Sequence, residues 1–178
     1  MRKGLIAGAL LLALAGCERA ATPSETTETS ADPDGPAALS GFAHRMEGDV
    51  SGTYGPVTPV RIEGQALQYL FIGQERDFRT WEDGEDQDGP PPVGFRFEPG
   101  AVRVAPSAYA VTDGALRFSG EHPTLGRITF EGDLDAGALA QSRRVLGGDG
   151  APVLTGTLRV AGQTFENQSF SWRSGDEG

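Results

Sequence analysis

The chain has 178 residues, 15 basic and 25 acidic, and a formal charge of −10. That length allows one domain with appendages. An acidic chain without a basic patch is repelled by nucleic acid, which is set aside as a partner, and a lone cysteine, Cys17, excludes an internal disulfide.

In chain order, Met1-Arg2-Lys3 is a basic start, and Gly4 to Gly16 is an unbroken run of small and apolar residues. Charge, apolar run and small residues at a cut describe a secretory signal peptide. The run of about 13 residues is shorter than the roughly 20 that a lasting transmembrane helix needs. Its end, Leu14-Ala15-Gly16-Cys17, resembles the lipobox of bacterial lipoproteins. The resemblance implies a diacylglyceryl group on the Cys17 sulfur, cleavage between Gly16 and Cys17, and acylation of the new amino terminus. Each buried methylene contributes about 0.8 kcal/mol, so two or three chains on Cys17 hold a protein to a membrane stably. Loss of Arg2 and Lys3 with the leader would take the charge from −10 to −12. Glu18 stands where an Asp marks inner-membrane retention in enteric lipoproteins. The expected location is therefore the cell envelope, at the outer membrane and facing the periplasm.

From Glu18 to about Ser40 the chain is Glu, Thr, Ser, Ala, Asp and Pro, with Leu39 almost its only large apolar residue. Such a composition buries too little surface to fold. Residues 17–40 read as a lipidated cysteine and a tether with a reach of roughly 25–30 Å.

Composition changes at Phe42, and residues 41–173 read as a single domain, followed by a polar tail, 174–178. Short alternating runs appear at Val50–Tyr54, Val60–Ile62, Leu67–Ile72, Val93–Phe97 and Val102–Val104. Further runs follow at Tyr109–Val111, Leu116–Phe118, Ile128–Leu134, Leu154–Val160 and Phe165–Trp172. Asp113-Gly114 predicts a hairpin, and the odd step from Phe165 to Phe170 predicts a bulge. Gln74–Trp81 suits one or two helical turns. Asp135 suits the N-cap of a short helix that carries Leu139, Arg143 and Leu146 on one face and ends at Gly147. The fold class is all-β: an antiparallel sandwich or barrel of about eight or nine strands with one or two short helices.

Catalytic chemistry finds little support. The acidic run Glu82, Asp83, Glu85, Asp86, Asp88 fails the EF-hand pattern, since Gly84 and Phe95 stand where its first Asp and last Glu belong. His44 and His122 are too few for a typical zinc site, and their polar neighbours predict surface positions. There is no G-x-S-x-G elbow, G-x-G-x-x-G loop or P-loop. No catalytic residue, metal or cofactor is assigned. Tyr54, Tyr69, Phe71, Trp81, Phe95, Phe97, Phe130, Phe170 and Trp172 are read as core more than as a ligand cavity.

The stretch Gly126–Phe130 to Thr157–Thr164 is similar in rhythm to the end of YceI-like periplasmic proteins. That resemblance implies a lipocalin-like barrel around a polyisoprenoid chain. The leading expectation is an envelope lipoprotein whose domain is a non-enzymatic binding or interaction module. Its partners would be the membrane, through lipid on Cys17, and an apolar ligand or envelope protein. The alternatives are an apolar-ligand carrier and a hydrolase of an envelope polymer that uses an acid from the Glu82–Asp88 loop.

Overall fold

The computed structural model describes residues 39–85, 88–146 and 148–174. The chain divides into two units, Met1–Pro36 and Ala37–Gly178, and every described residue belongs to the second. The leader with Gly16, Cys17, the tether up to residue 38, Asp86, Gly147 and residues 175–178 lie outside the described residues.

Among the described residues the fold is all-β, with two short helices, as the alternating runs require. The first strands are β1 (Phe42–Arg45), β2 (Gly52–Pro56), β3 (Arg61–Ile62) and β4 (Gln65–Ile72), followed by α1 (Glu75–Glu82). Then come β5 (Val93–Glu98), β6 (Val102–Val104), β7 (Pro106–Thr112), β8 (Ala115–His122), β9 (Gly126–Leu134), α2 (Ala136–Ser142), β10 (Pro152–Val160) and β11 (Gln163–Arg173). One sheet runs in the order β1-β7-β8-β9-β10-β11-β2-β4-β5-β6, with β3 paired to β4. It is a curled half-barrel of eleven strands, more than the eight or nine expected. The short β1 adds a parallel pairing with β7 to an otherwise antiparallel sheet. Only Ala105 separates β6, which pairs with β5, from β7, which pairs with β8. One bent run of chain thus links the β6 end of the curl to β7, the strand next to its other end.

The concave side is filled by rings. Phe95 lies 5.1 Å from Phe118 and 5.8 Å from Phe130, centroid to centroid, and Phe130 lies 5.5 Å from Phe170. All four are buried, and each such side chain contributes about 1.5–3 kcal/mol by leaving water. Beneath them Gly132 faces Gly156 across β9 and β10. A Cβ on Gly156 would meet the Glu131 carbonyl oxygen at 2.3 Å and the Phe130 ring at 2.8 Å. Both neighbours are fixed by the sheet, so Gly156→Ala is expected to cost about 1–3 kcal/mol by overpacking. A urea unfolding midpoint checks this, and an unchanged midpoint would mean that the strands separate freely there.

Asp113-Gly114 joins β7 to β8 with Val111 opposite Leu116. On β11 the register slips between the Gly156–Gln168 and Leu158–Phe165 pairs, and Asn167 takes a φ of 55°, which is the expected bulge. Asp135 caps α2 by accepting from Ala138 N at 2.8 Å. However, α2 stops at Ser142, and Leu146 is fully exposed instead of sharing a face with Leu139. Ser142 and Arg143 end the helix by turning to tertiary partners: the Ser142 hydroxyl donates to Asp149 at 2.8 Å, and Arg143 reaches Ser51 and Asp49.

His122 is not at the surface. It is 1% exposed, on the inward side of β8 with Leu116 and Phe118, and its ring lies 5.3 Å from that of Phe97. Its Nδ1 accepts from Thr124 N at 3.2 Å and Leu125 N at 3.1 Å, which places the proton of the neutral ring on Nε2. Burial pushes its pKa below the ordinary 6.5. A histidine with a lowered folded pKa leaves the unfolded chain binding more protons. Stability is therefore full above about pH 6.5 and falls as acid is added below it. His122→Asn keeps an acceptor for the two N–H groups. It is expected to flatten the change in unfolding midpoint between about pH 7.5 and 5.5; an equally steep change in the variant would contradict this assignment.

Candidate functional site

The convex side carries a groove beside α1. Alternation on β4 sends Leu70 and Ile72 inward and Tyr69 and Phe71 outward. Register places Phe71 beside Thr53 on β2, and Thr53 beside Arg173 on β11. A cavity of about 580 Å³ opens over this row, bounded by Asp49, Gln74, Arg76, Arg143 and Trp172. A second, of about 440 Å³, continues past Gln74 and Arg76 to Met46 and Gly48. A third, of about 450 Å³, continues from Phe71 and Arg76 to Trp81 and Pro90–Pro92.

Arg143 fixes one corner of the groove. Its guanidinium donates to the Ser51 carbonyl, pairs with Asp49 at 3.0 Å, and lies 5.4 Å from the Trp172 ring centroid. Trp172 Nε1 donates to the same Ser51 carbonyl at 3.3 Å. Burial works against the charge on Asp49, but bonds from the Ser51 hydroxyl and N–H and the Arg143 guanidinium outweigh it. The carboxyl is held below its ordinary 3.8. Gly52 allows Trp172 to close in, for at its φ of 142° a Cβ would sit 2.2 Å from the indole nitrogen. Gly52→Ala is expected to displace Trp172 and shift its emission to the red, measured by tryptophan fluorescence, because a residue packed 2.2 Å from a new carbon has to move. An unchanged spectrum would mean that the corner yields elsewhere.

The opposite wall is α1. Its N-cap residue is Gln74, whose N–H donates to Asp77 Oδ2 at 2.8 Å. Asp77 also lies 3.5 Å from Arg76. At the other end, Glu82 is tied to the fold: its carboxylate lies 2.9 Å from His44 Nδ1 and accepts from the Tyr109 hydroxyl at 2.9 Å. Burial first, and then Glu82, pushes the Tyr109 pKa up, so the hydroxyl remains a donor. His44, with a side chain 14% exposed, is likewise half-buried rather than superficial, and its ring lies 5.5 Å from that of Phe78.

The aromatic residues thus divide. Tyr54, Phe95, Phe97, Phe130 and Phe170 are core. Phe71, Trp81 and Trp172 line the groove, and Tyr69 lines a neighbouring hollow of about 110 Å³ with Arg96 and Arg173. The arginines carried no motif in the sequence. Arg76, Arg143 and Arg173 meet at the groove although they are far apart along the chain.

The chain matches no family model, no curated protein and no solved structure. The reading of this site therefore rests on its own chemistry. No helix among the described residues is long and apolar enough to cross a membrane.

Proposed function

We propose that this protein is an envelope lipoprotein, anchored by lipid on Cys17, and that its β domain is a non-enzymatic binding module working through the groove beside α1. The observation that carries the binding role is the corner built by Arg143, Asp49, Ser51 and Trp172. It is a charged and aromatic surface fixed by mutual bonds at the mouth of a cavity of about 580 Å³. Sites of this size with a few fixed polar groups are where ligands bind.

The carrier alternative needs room inside the curl, where Phe95, Phe118, Phe130 and Phe170 pack against one another. The hydrolase alternative needs a carboxyl with a raised pKa as general acid. Asp49 is shifted the other way, and Glu82 is tied to His44 and Tyr109.

Two measurements test the reading. The anchor predicts a mature chain that begins at Cys17 and carries added acyl mass, and Cys17→Ser abolishes both; a mature chain without acyl mass would overturn the anchor. The groove predicts that a photocrosslinker at Gln74 captures a ligand in the intact envelope, while one at exposed Glu131 on β9 does not. Equal capture at both positions would overturn the groove.

A further inference from the structure

Three arginines on the convex sheet are laid down by the residues beneath them. Arg96 faces Tyr69 across β4 and β5, and its guanidinium carbon lies 5.9 Å from the ring centroid. Arg103, on β6, passes the bare backbone of Gly94, where a Cβ would stand 3.7 Å from its Cγ, and reaches to 5.9 Å from the Phe71 ring. Arg173 lies over Gly55, where a Cβ would meet its guanidinium carbon at 2.9 Å. None of the three has a carboxylate within ion-pair distance among the described residues. Arg173 also belongs to both the groove and the hollow that holds Arg96. An acidic chain of charge −10 therefore gathers cations on one surface, with donors that no carboxylate of the described residues takes up, although Glu98 lines the hollow with Arg96 and Arg173.

Stacking on an aromatic ring or on bare backbone orients a guanidinium and leaves its N–H edge to meet an oxyanion in bidentate geometry. A single carboxylate would use one such fork. Arg96, Arg103 and Arg173 offer a row, and it leads to the groove where Arg76 and Arg143 are already paired with Asp77 and Asp49. We infer that this face binds an extended phosphate-bearing ligand, its phosphates on the arginine row and its body in the groove beside α1. This deepens the binding role proposed above and rests on it. The phosphates could come from lipid headgroups or from a soluble phosphorylated sugar, and the test separates the two.

The probe is inorganic tripolyphosphate, added to the full chain in detergent and followed by tryptophan emission. Trp81 and Trp172 are the only tryptophans, and both line the groove. The expected result is saturable binding that weakens between about 50 and 200 mM salt. Gly55→Ala places a methyl where the Arg173 guanidinium lies, and is expected to weaken binding by about 3-fold or more with folding intact, because the atom it displaces ends a flexible side chain. Arg96→Ala with Arg103→Ala is expected to weaken it by about 10-fold or more. Competition by phosphatidylglycerol vesicles identifies a headgroup source, and competition by glucosamine 6-phosphate a soluble one. A flat titration, variants that bind like the parent, or competition by neither phosphate source would overturn the proposal. If Gln74 crosslinks persist while the titration is flat, the ligand class is wrong and the groove stands. If both are lost, the groove reading itself fails.

Discussion

Phe95→Ala is expected to remove about 3–5 kcal/mol of unfolding free energy. Phe95 is fully buried and its ring contacts those of Phe118, Phe130 and Phe170, which come from β8, β9 and β11 on the far side of the curl. With Phe97, whose ring meets His122, it is where the two arms of the sheet touch. Deleting it loses its transfer free energy and leaves a cavity that the stiff sheet cannot close. Net stabilities of about 5–15 kcal/mol make that a large share. Phe95→Leu, which keeps most of the volume, is expected to cost distinctly less. Urea unfolding of both variants checks the ranking; equal and small losses would mean that the rings do not hold the arms together.

Arg143→Ala is expected to have the second largest effect, and it falls on stability and on the site together. The Arg143 guanidinium bridges the chain end of α2 to the strand entry at Ser51 and covers the Trp172 ring. Hydrogen bonds to charged groups contribute about 1.5–3 kcal/mol, so the bond to the Ser51 carbonyl accounts for most of the loss. The pair with Asp49 adds little, because the Asp49 side chain is 65% exposed and screened by water. The same variant removes one of the groups that hold the Asp49 pKa down, so that pKa is expected to rise towards 3.8. A carboxylate whose folded pKa is depressed gives stability that is present above its unfolded value and lost as pH falls through the folded one. The acid limb of the stability curve therefore moves up in pH in Arg143→Ala. NMR titration of Asp49 checks the shift, and an unmoved value would mean that Ser51 alone sets it. Arg143→Lys keeps the charge but not the planar fork, and is expected to restore the Asp49 shift more fully than the cover on Trp172.

Strands were legible in the sequence because half-buried strands alternate: Leu116, Phe118 and then Ile128, Phe130 are core positions two apart. The helix at Glu75–Glu82 was legible from its Glu75–Arg79 spacing, and those two side chains do pair. What alternation does not carry is the order of strands. The β10–β11 hairpin is local, but nothing local places β11 beside β2, so the curl and the route through Ala105 had to come from the structure.

His122 is hard to place for a different reason. Its polar neighbours suggest the surface, but parity decides, and the step from Leu116 through Phe118 and Gly120 points it inward. The site was the least legible part. Arg76, Arg96, Arg103, Arg143 and Arg173 have no common spacing; strand register brings Arg96, Arg103 and Arg173 to one face, and the placement of α1 and of the end of α2 adds Arg76 and Arg143. The available signal was glycine: Gly55 and Gly94 interrupt β-strands, where a missing side chain marks close approach by another group. At Gly55 that group is the Arg173 guanidinium; at Gly94 it is the Val104 carbonyl oxygen, 2.7 Å from where a Cβ would stand, with Arg103 beyond it.

The measurement that tests the central claim most directly is native mass spectrometry of the lipidated chain extracted from its own membranes, compared with Gln74→Trp. Gln74 is exposed and lies where the first two cavities of the groove meet, so an indole there obstructs the groove without entering the core. The account predicts a bound species on the parent chain and its loss from the variant. Identical spectra for the two chains would contradict it.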